Sequence, residues 1–155
     1  MNTIPERYLI AATKALAFVN EHYPRLSANG WPYRYGERMA PMDPIEVPHI
    51  ATCLAFIENG PVKLLKSLRG EGSYTGKHSA EHWGARVGFE PYVTNGAFIS
   101  ACLSLELPCK EMLGTPNSAT GVRVSEHWKI SFRDDSRPRF GRMPPLRAEY
   151  VLAGT

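Results

Sequence analysis

No stretch of the chain is apolar for anything approaching the ~20 residues of a membrane-spanning helix, so no membrane partner is expected. The amino terminus, Met1-Asn2-Thr3-Ile4-Pro5-Glu6-Arg7, has no basic stretch leading into an apolar core, and no secretory leader is expected. Cysteine is scarce: three residues, an odd number, with no Cys-x-x-Cys pair. That argues against a disulfide scaffold and for a reducing, cytoplasmic setting. A Gly-x-Ser-x-Gly elbow is missing, which leaves a hydrolase nucleophile unsupported. Glycine and proline are not scarce. Thirteen of each in 155 residues, about 17% of the chain, exceed the usual ~12% and imply many turns. With 43% hydrophobic and 21% charged residues, the composition is that of one globular domain spanning residues 1–155.

Charge is unevenly placed. The formal net charge is +3, and residues 1–120 carry 11 basic and 11 acidic side chains, which cancel. The excess lies in residues 121–155, with seven basic and four acidic side chains. A basic segment on a neutral body reads as a contact region for phosphate or for an acidic protein.

Hydrophobic periodicity sets the expected elements. Thr3-Ile4-Pro5-Glu6 fits a capping box, and Tyr8, Leu9, Ala12, Leu16 and Val19 recur at helical spacing, giving a helix over 4–22. Pro24, Pro32, Pro41, Pro44 and Pro48 predict a long proline-rich loop over 24–48, within which 30–36 alternates aromatics like an edge strand. Residues 48–59 are apolar and end at Gly60, and 61–69 reads as a short helix with Val62, Leu65 and Leu68 on one side. Residues 73–107 read as a helix–turn–helix-like hairpin. In its first arm Gly76, Ala80, Trp83 and Val87 form a buried stripe opposite Tyr74, His78, His82 and Arg86. The second arm, capped by Thr94 or Asn95 and ending near Leu107, is apolar almost all round and must be buried. A turn-rich link at 114–118 then leads to alternation from Val122 to Arg133, predicting a half-buried strand that 150–152 could pair. The fold class expected is α+β: four or five helices with a small antiparallel sheet or hairpin in the carboxy-terminal third, the 121–155 segment being basic and β-rich.

Several chemistries can be weighed on spacing. His78-Ser79-Ala80-Glu81-His82 matches the inverted zinc-protease order, with two histidines one helical turn apart. The downstream glutamates Glu106, Glu111, Glu126 and Glu149 offer no convincing third ligand, and the chain is short for such an enzyme. A structural zinc would use His78, His82, Cys102 and Cys109, but the Cys102-x6-Cys109 spacing is wider than usual zinc pairs. Gly70-Glu71-Gly72-Ser73-Tyr74-Thr75-Gly76-Lys77-His78 approaches a phosphate loop, yet its first glycine is displaced and His78 replaces the magnesium-binding hydroxyl. No catalytic residue, cofactor or metal is therefore assigned, and an enzyme is not the expected reading. A groove-reading regulator is disfavoured too, since the second arm offers only Asn95, Ser100, Ser104 and Glu106 as polar positions.

The order Ser73-Tyr74-x-x-Lys77-His78-x-x-Glu81, then Tyr92-Val93-Thr94-Asn95-Gly96-Ala97-Phe98-Ile99, then Gly114-Thr115-Pro116-Asn117 resembles a group of small uncharacterised proteins of bacterial mobile elements and phages. The resemblance covers residues 73–117 and implies a bacterial host cytoplasm, with no activity attached. Together these readings point to a non-enzymatic accessory protein that binds nucleic acid or a host nucleoprotein complex. Its contact residues are expected to be Arg123, His127, Lys129, Arg133, Arg137, Arg139 and Arg142, with Tyr74, His78, His82 and Arg86 as a second set. The alternative is a host-defence antagonist of the anti-CRISPR or anti-restriction type, acting by protein–protein contact. A small metal-dependent enzyme built on His78 and His82 ranks third, and nothing in the sequence fixes the oligomeric state.

Overall fold

A computed structural model describes residues 4–32, 41–89 and 92–126. The element order is α1 (Glu6–His22), a 3-10 turn (Pro44–Glu46), α2 (Val47–Asn59), β1 (Val62–Leu64), α3 (Ser73–Val87), α4 (Asn95–Ser104), β2 (Cys109–Glu111), β3 (Ser118–Thr120) and β4 (Val122–Val124). The class is α+β: helices α1, α2, α3 and α4 around a common core, with two small antiparallel sheets. Among the described residues no helix is long and apolar enough to cross a membrane.

Helix α1 buries the expected stripe, Tyr8, Ala12, Leu16 and Val19, with Ala15 added. It starts two residues later than its pattern suggests. Pro5 occupies the cap position with no side-chain cap bond, and Thr3 lies outside the described residues. The Tyr8 hydroxyl donates to Glu58 Oε2 at 2.7 Å and accepts from Asn59 Nδ2 at 2.8 Å, pinning α1 to the end of α2. The described end of the 24–48 segment holds a 3-10 turn and the start of α2. Pro44 opens the 3-10 turn, with Asp43 accepting from Ile45 N–H, and Pro48 sits in the first turn of α2, where its missing N–H costs nothing. Residues 33–36 of the expected edge strand lie outside the described residues.

The 73–107 hairpin forms as two helices on one core. Gly76, Ala80, Trp83 and Val87 are all buried along α3, as their spacing predicts. Ser73 is the first helical residue, and its hydroxyl accepts from Ser118 N–H at 2.9 Å. A Cβ on Gly76 would overlap the Phe98 ring, so the two helices approach closely where glycine removes the side chain. The left-handed Gly88 (φ 89°) ends α3, with Phe89 N–H reaching Gly84 O at 2.8 Å. On α4 every residue from Asn95 to Cys102 is buried. Thr94 caps it, accepting from Ala97 N–H at 3.1 Å. The helix stops at Ser104, a turn before Leu107, because Glu106 adopts φ 56° and Leu107 N–H bonds back to Cys102 O. Glu106 is thus not a helical residue, although the apolar run continues past it.

Two expectations fail at the sheets. Residues 61–69 are not a helix: β1 pairs antiparallel with β4, Val62 opposite Val124, Lys63 opposite Arg123 and Leu64 opposite Val122. The i, i+3, i+6 apolar spacing looked helical, but a distant strand recruits the backbone, and Leu64 and Leu68 are exposed. Among the described residues the expected twelve-residue strand forms at Val122–Val124, and Glu126 is already helical and exposed; residues 127–133 lie outside the described residues. Within that short strand the alternation holds, with Val122 and Val124 buried and Arg123 exposed. Its partner is β1; residues 150–152 lie outside the described residues. The turn-rich link instead joins a hairpin, β2 to β3, that the sequence reading did not anticipate.

Candidate nucleic-acid interface

Of the expected contact residues, Arg123 is described and exposed, and Tyr74, His78, His82 and Arg86 share α3 as their spacing required. His127, Lys129, Arg133, Arg137, Arg139 and Arg142 lie outside the described residues. The β1–β4 register gives Arg123 a companion that sequence reading missed. Lys63 stands directly opposite it, and Lys66 and Arg69 are exposed on the segment that follows β1. Among the described residues none of these four cations makes an ion pair. Like charges directly opposite on a sheet are mutually destabilising by roughly 0.2–1 kcal/mol, and an anion seated over them removes that cost. The signal for Lys63 was hidden by the helical reading of 61–69, which placed it on no strand at all.

A second feature lies beside α3. A cavity of about 320 Å³ is lined by Ala28, Asn29, Trp31, Tyr74, Lys77, Tyr92, Thr94, Asn95, Pro116 and Asn117. Four connections meet here: the turn at Ser27–Gly30, the start of α3, the start of α4, and the link into β3. Gly30 makes the turn with φ 104°, and Trp31 N–H donates to Pro116 O at 3.0 Å. Trp31 itself is buried and donates from Nε1 to Ser118 Oγ at 2.7 Å. Asn95 Nδ2 lies 3.1–3.2 Å from Asn29 O, Pro116 O and Asn117 Oδ1, so one amide ties the start of α4 to the Ser27–Gly30 turn and to the link into β3. Asn95 Oδ1 has no partner among the described residues.

Among the described residues Lys77 is the one charged group in the lining. Its ammonium donates to Glu81 Oε1 at 2.9 Å and to Val93 O at 3.1 Å, and lies 6.0 Å from the Tyr74 ring centre and 5.5 Å from that of Tyr92. Both tyrosines are more than half exposed, at 57% and 58%. His78 packs edge-on against Tyr74 at 4.5 Å. Burial holds the His78 and His82 imidazoles below the usual histidine range. The Lys77 cation adds to this at His78 and Glu81 opposes it, while at His82 Glu81 again opposes and His78 adds.

Behind the cleft, Glu46 Oε2 accepts from Thr94 Oγ1 at 2.7 Å and meets His49 Nδ1 at 2.8 Å, all three residues being buried. This cluster locks the 3-10 turn onto the cap of α4. Thr94 is fully used by Glu46 and Ala97, which makes it a structural member of the wall rather than a free hydroxyl.

The metal candidates do not converge. Among the described residues no three His, Cys, Asp or Glu side chains are grouped so as to hold a metal ion, so His78 and His82 are not joined by Cys102 and Cys109. The two cysteines instead face each other. The Cys102 thiol donates toward the Cys109 sulfur, which raises the Cys102 pKa well above the ordinary thiol value, with burial reinforcing it, and lowers that of Cys109. Burial, reinforced by the Glu81 and Glu46 carboxylates, likewise pushes the Cys53 thiol well up. No protein-family model, curated protein or solved structure matches the chain.

Proposed function

We propose that this is a nucleic-acid-binding accessory protein whose backbone contacts centre on the β1–β4 sheet, in the mobile-element setting that residues 73–117 suggest. The observation that carries the reading is the opposed pair Lys63 and Arg123, with exposed Lys66 and Arg69 on the segment after β1; among the described residues none of the four makes an ion pair, and Glu126 lines the same cleft as the opposed pair. A pair of cations held opposite each other across two strands suits phosphates, and arginine forks bind their oxygens bidentately. Sequence adds Lys129, Arg133, Arg137, Arg139 and Arg142 downstream of Arg123, so the contact surface extends in proportion to how many of them join it. Nothing in this surface reads bases, and binding without sequence preference is the expected behaviour.

The test is anisotropy of labelled mixed-sequence DNA and RNA across a salt series. Affinity falls with salt, and each neutralised phosphate of duplex DNA contributes about 0.9 to the log–log slope. The double variant Lys63→Glu, Arg123→Glu is expected to weaken all sequences alike and to flatten that slope by about two contacts. Binding that is unchanged in this variant would sink the proposal. Absence of nucleic-acid binding, with nuclease-resistant capture of an acidic host protein, would favour the defence-antagonist reading instead.

A further inference from the structure

A strand held only by its phosphates needs no cavity, yet the molecule builds one beside α3 with several hydrogen-bonding groups and, among the described residues, no carboxylate in its lining. Its size, about 320 Å³, sits at the small end of the ~300–1,000 Å³ typical of small-molecule sites. The chemistry of the walls narrows what fits. Tyr74 and Tyr92 each meet an imidazole edge-on, His78 and His49, yet stay more than half exposed, leaving ring surface on which a planar heterocycle stacks. Asn95 is taken up by the wall, but Asn29 and Asn117 also line the space, and the exposed Asn29 amide offers a donor and an acceptor side by side, the pattern a nucleobase edge complements. Lys77 places a positive charge between the aromatic platforms, with one N–H left after Glu81 and Val93 are served. A cationic ligand is disfavoured, because Lys77 already lies within cation–π range of both rings and no carboxylate among the described residues lines the space.

We infer that this cleft is a nucleotide site: a base stacks on Tyr74 and Tyr92 and is read by the asparagine amides, with its phosphate turned toward Lys77. The site takes either a free nucleoside phosphate or one unpaired nucleotide of a strand, since the chemistry is the same. It does not rest on the β1–β4 surface, and the two fail separately.

The experiment titrates the full chain with AMP, GMP, CMP and UMP in turn, then with inorganic phosphate, ribose 5-phosphate and a single-stranded pentanucleotide, by calorimetry. Saturable one-to-one binding of at least one mononucleotide is expected, with the phosphate and ribose phosphate controls much weaker. Tyr74→Ala and Tyr92→Ala are each expected to weaken it about ten-fold or more. Both side chains are exposed, so the variants keep the fold, which a melting curve verifies. The Lys63→Glu, Arg123→Glu variant is expected to leave mononucleotide affinity unchanged. Binding of the pentanucleotide alone, with the same tyrosine dependence, assigns the site to strands. Failure of every nucleotide and the pentanucleotide at millimolar concentration overturns the inference. So does equal binding of ribose 5-phosphate, or binding indifferent to both tyrosines.

Discussion

The two arms of one hairpin treat solvent in opposite ways. Helix α4 is buried from Asn95 to Cys102 with hardly a polar face, whereas α3 buries one stripe and lays Tyr74, His78 and His82 along the other. The difference shows where stability and where contact reside in this molecule. The arm that gives the core its shape has no surface to spend on a partner, and its neighbour carries the groups that face outward. Even the polar atoms of α4 are turned inward: Ser100 donates to Gly96 O at 2.7 Å, and Thr94 bridges to Glu46.

Substitution breaks or sharpens this contrast. Phe98, wholly buried against α3, is expected to cost about 3–5 kcal/mol on truncation to alanine, through lost burial and a residual cavity. Tyr74→Ala on the outer face of α3 is expected to stay within about 0.5 kcal/mol, as surface changes usually do. Thermal or urea unfolding of the two variants measures both. Similar losses would dissolve the distinction between the arms.

Thr94→Ala is expected to cost about 1–2 kcal/mol, since it removes the cap on Ala97 N–H and takes one partner from buried Glu46. Thr94→Ser restores most of it if the hydroxyl is what matters. Recovery with valine instead would assign the effect to packing.

The smallest effect belongs to α3. Burial lowers the His78 and His82 pKa values below their unfolded ones, so the folded state disfavours their protonated forms. Between the folded pKa and about 6.5 the unfolded chain binds more protons. Stability therefore falls as pH drops through about 6.5 and levels off below the folded values. Both side chains are partly exposed, so the slope is shallow. Urea midpoints at pH 8 and pH 5.5 are expected to draw closer together in the double variant His78→Ala, His82→Ala, and an undiminished gap would place the titration elsewhere.

Helix periodicity made both arms legible in the sequence, because 3.6-residue spacing is a local property and Gly88 and Thr94 mark the boundaries with their own chemistry. Strand pairing was not legible in the same way. Nothing in Val62-Lys63-Leu64 announces Val122-Arg123-Val124 as its partner, so Lys63 was never placed beside Arg123. Long alternation misled in the other direction: the period of two is real at Val122 and Val124 but ceases to be strand at Glu126. Tyr74 was found from the helix face it shares with His78. The cleft it borders was not, since Asn29, Tyr92, Asn95 and Asn117 come from separate turns that only tertiary packing gathers.

The β1–β4 ladder joins residues about sixty positions apart, while β2–β3 closes over a short turn. Everything between, both arms of the hairpin and the β2–β3 sheet, is enclosed in that long loop. Its closure is entropically costly before any strand contact repays it, so the ladder belongs to the late, slow part of folding. Lys63 and Arg123 come face to face only once the loop has shut. A chain whose core has collapsed but whose ends have not met carries the same residues without the paired cations, and the charge pattern on that sheet reports complete folding.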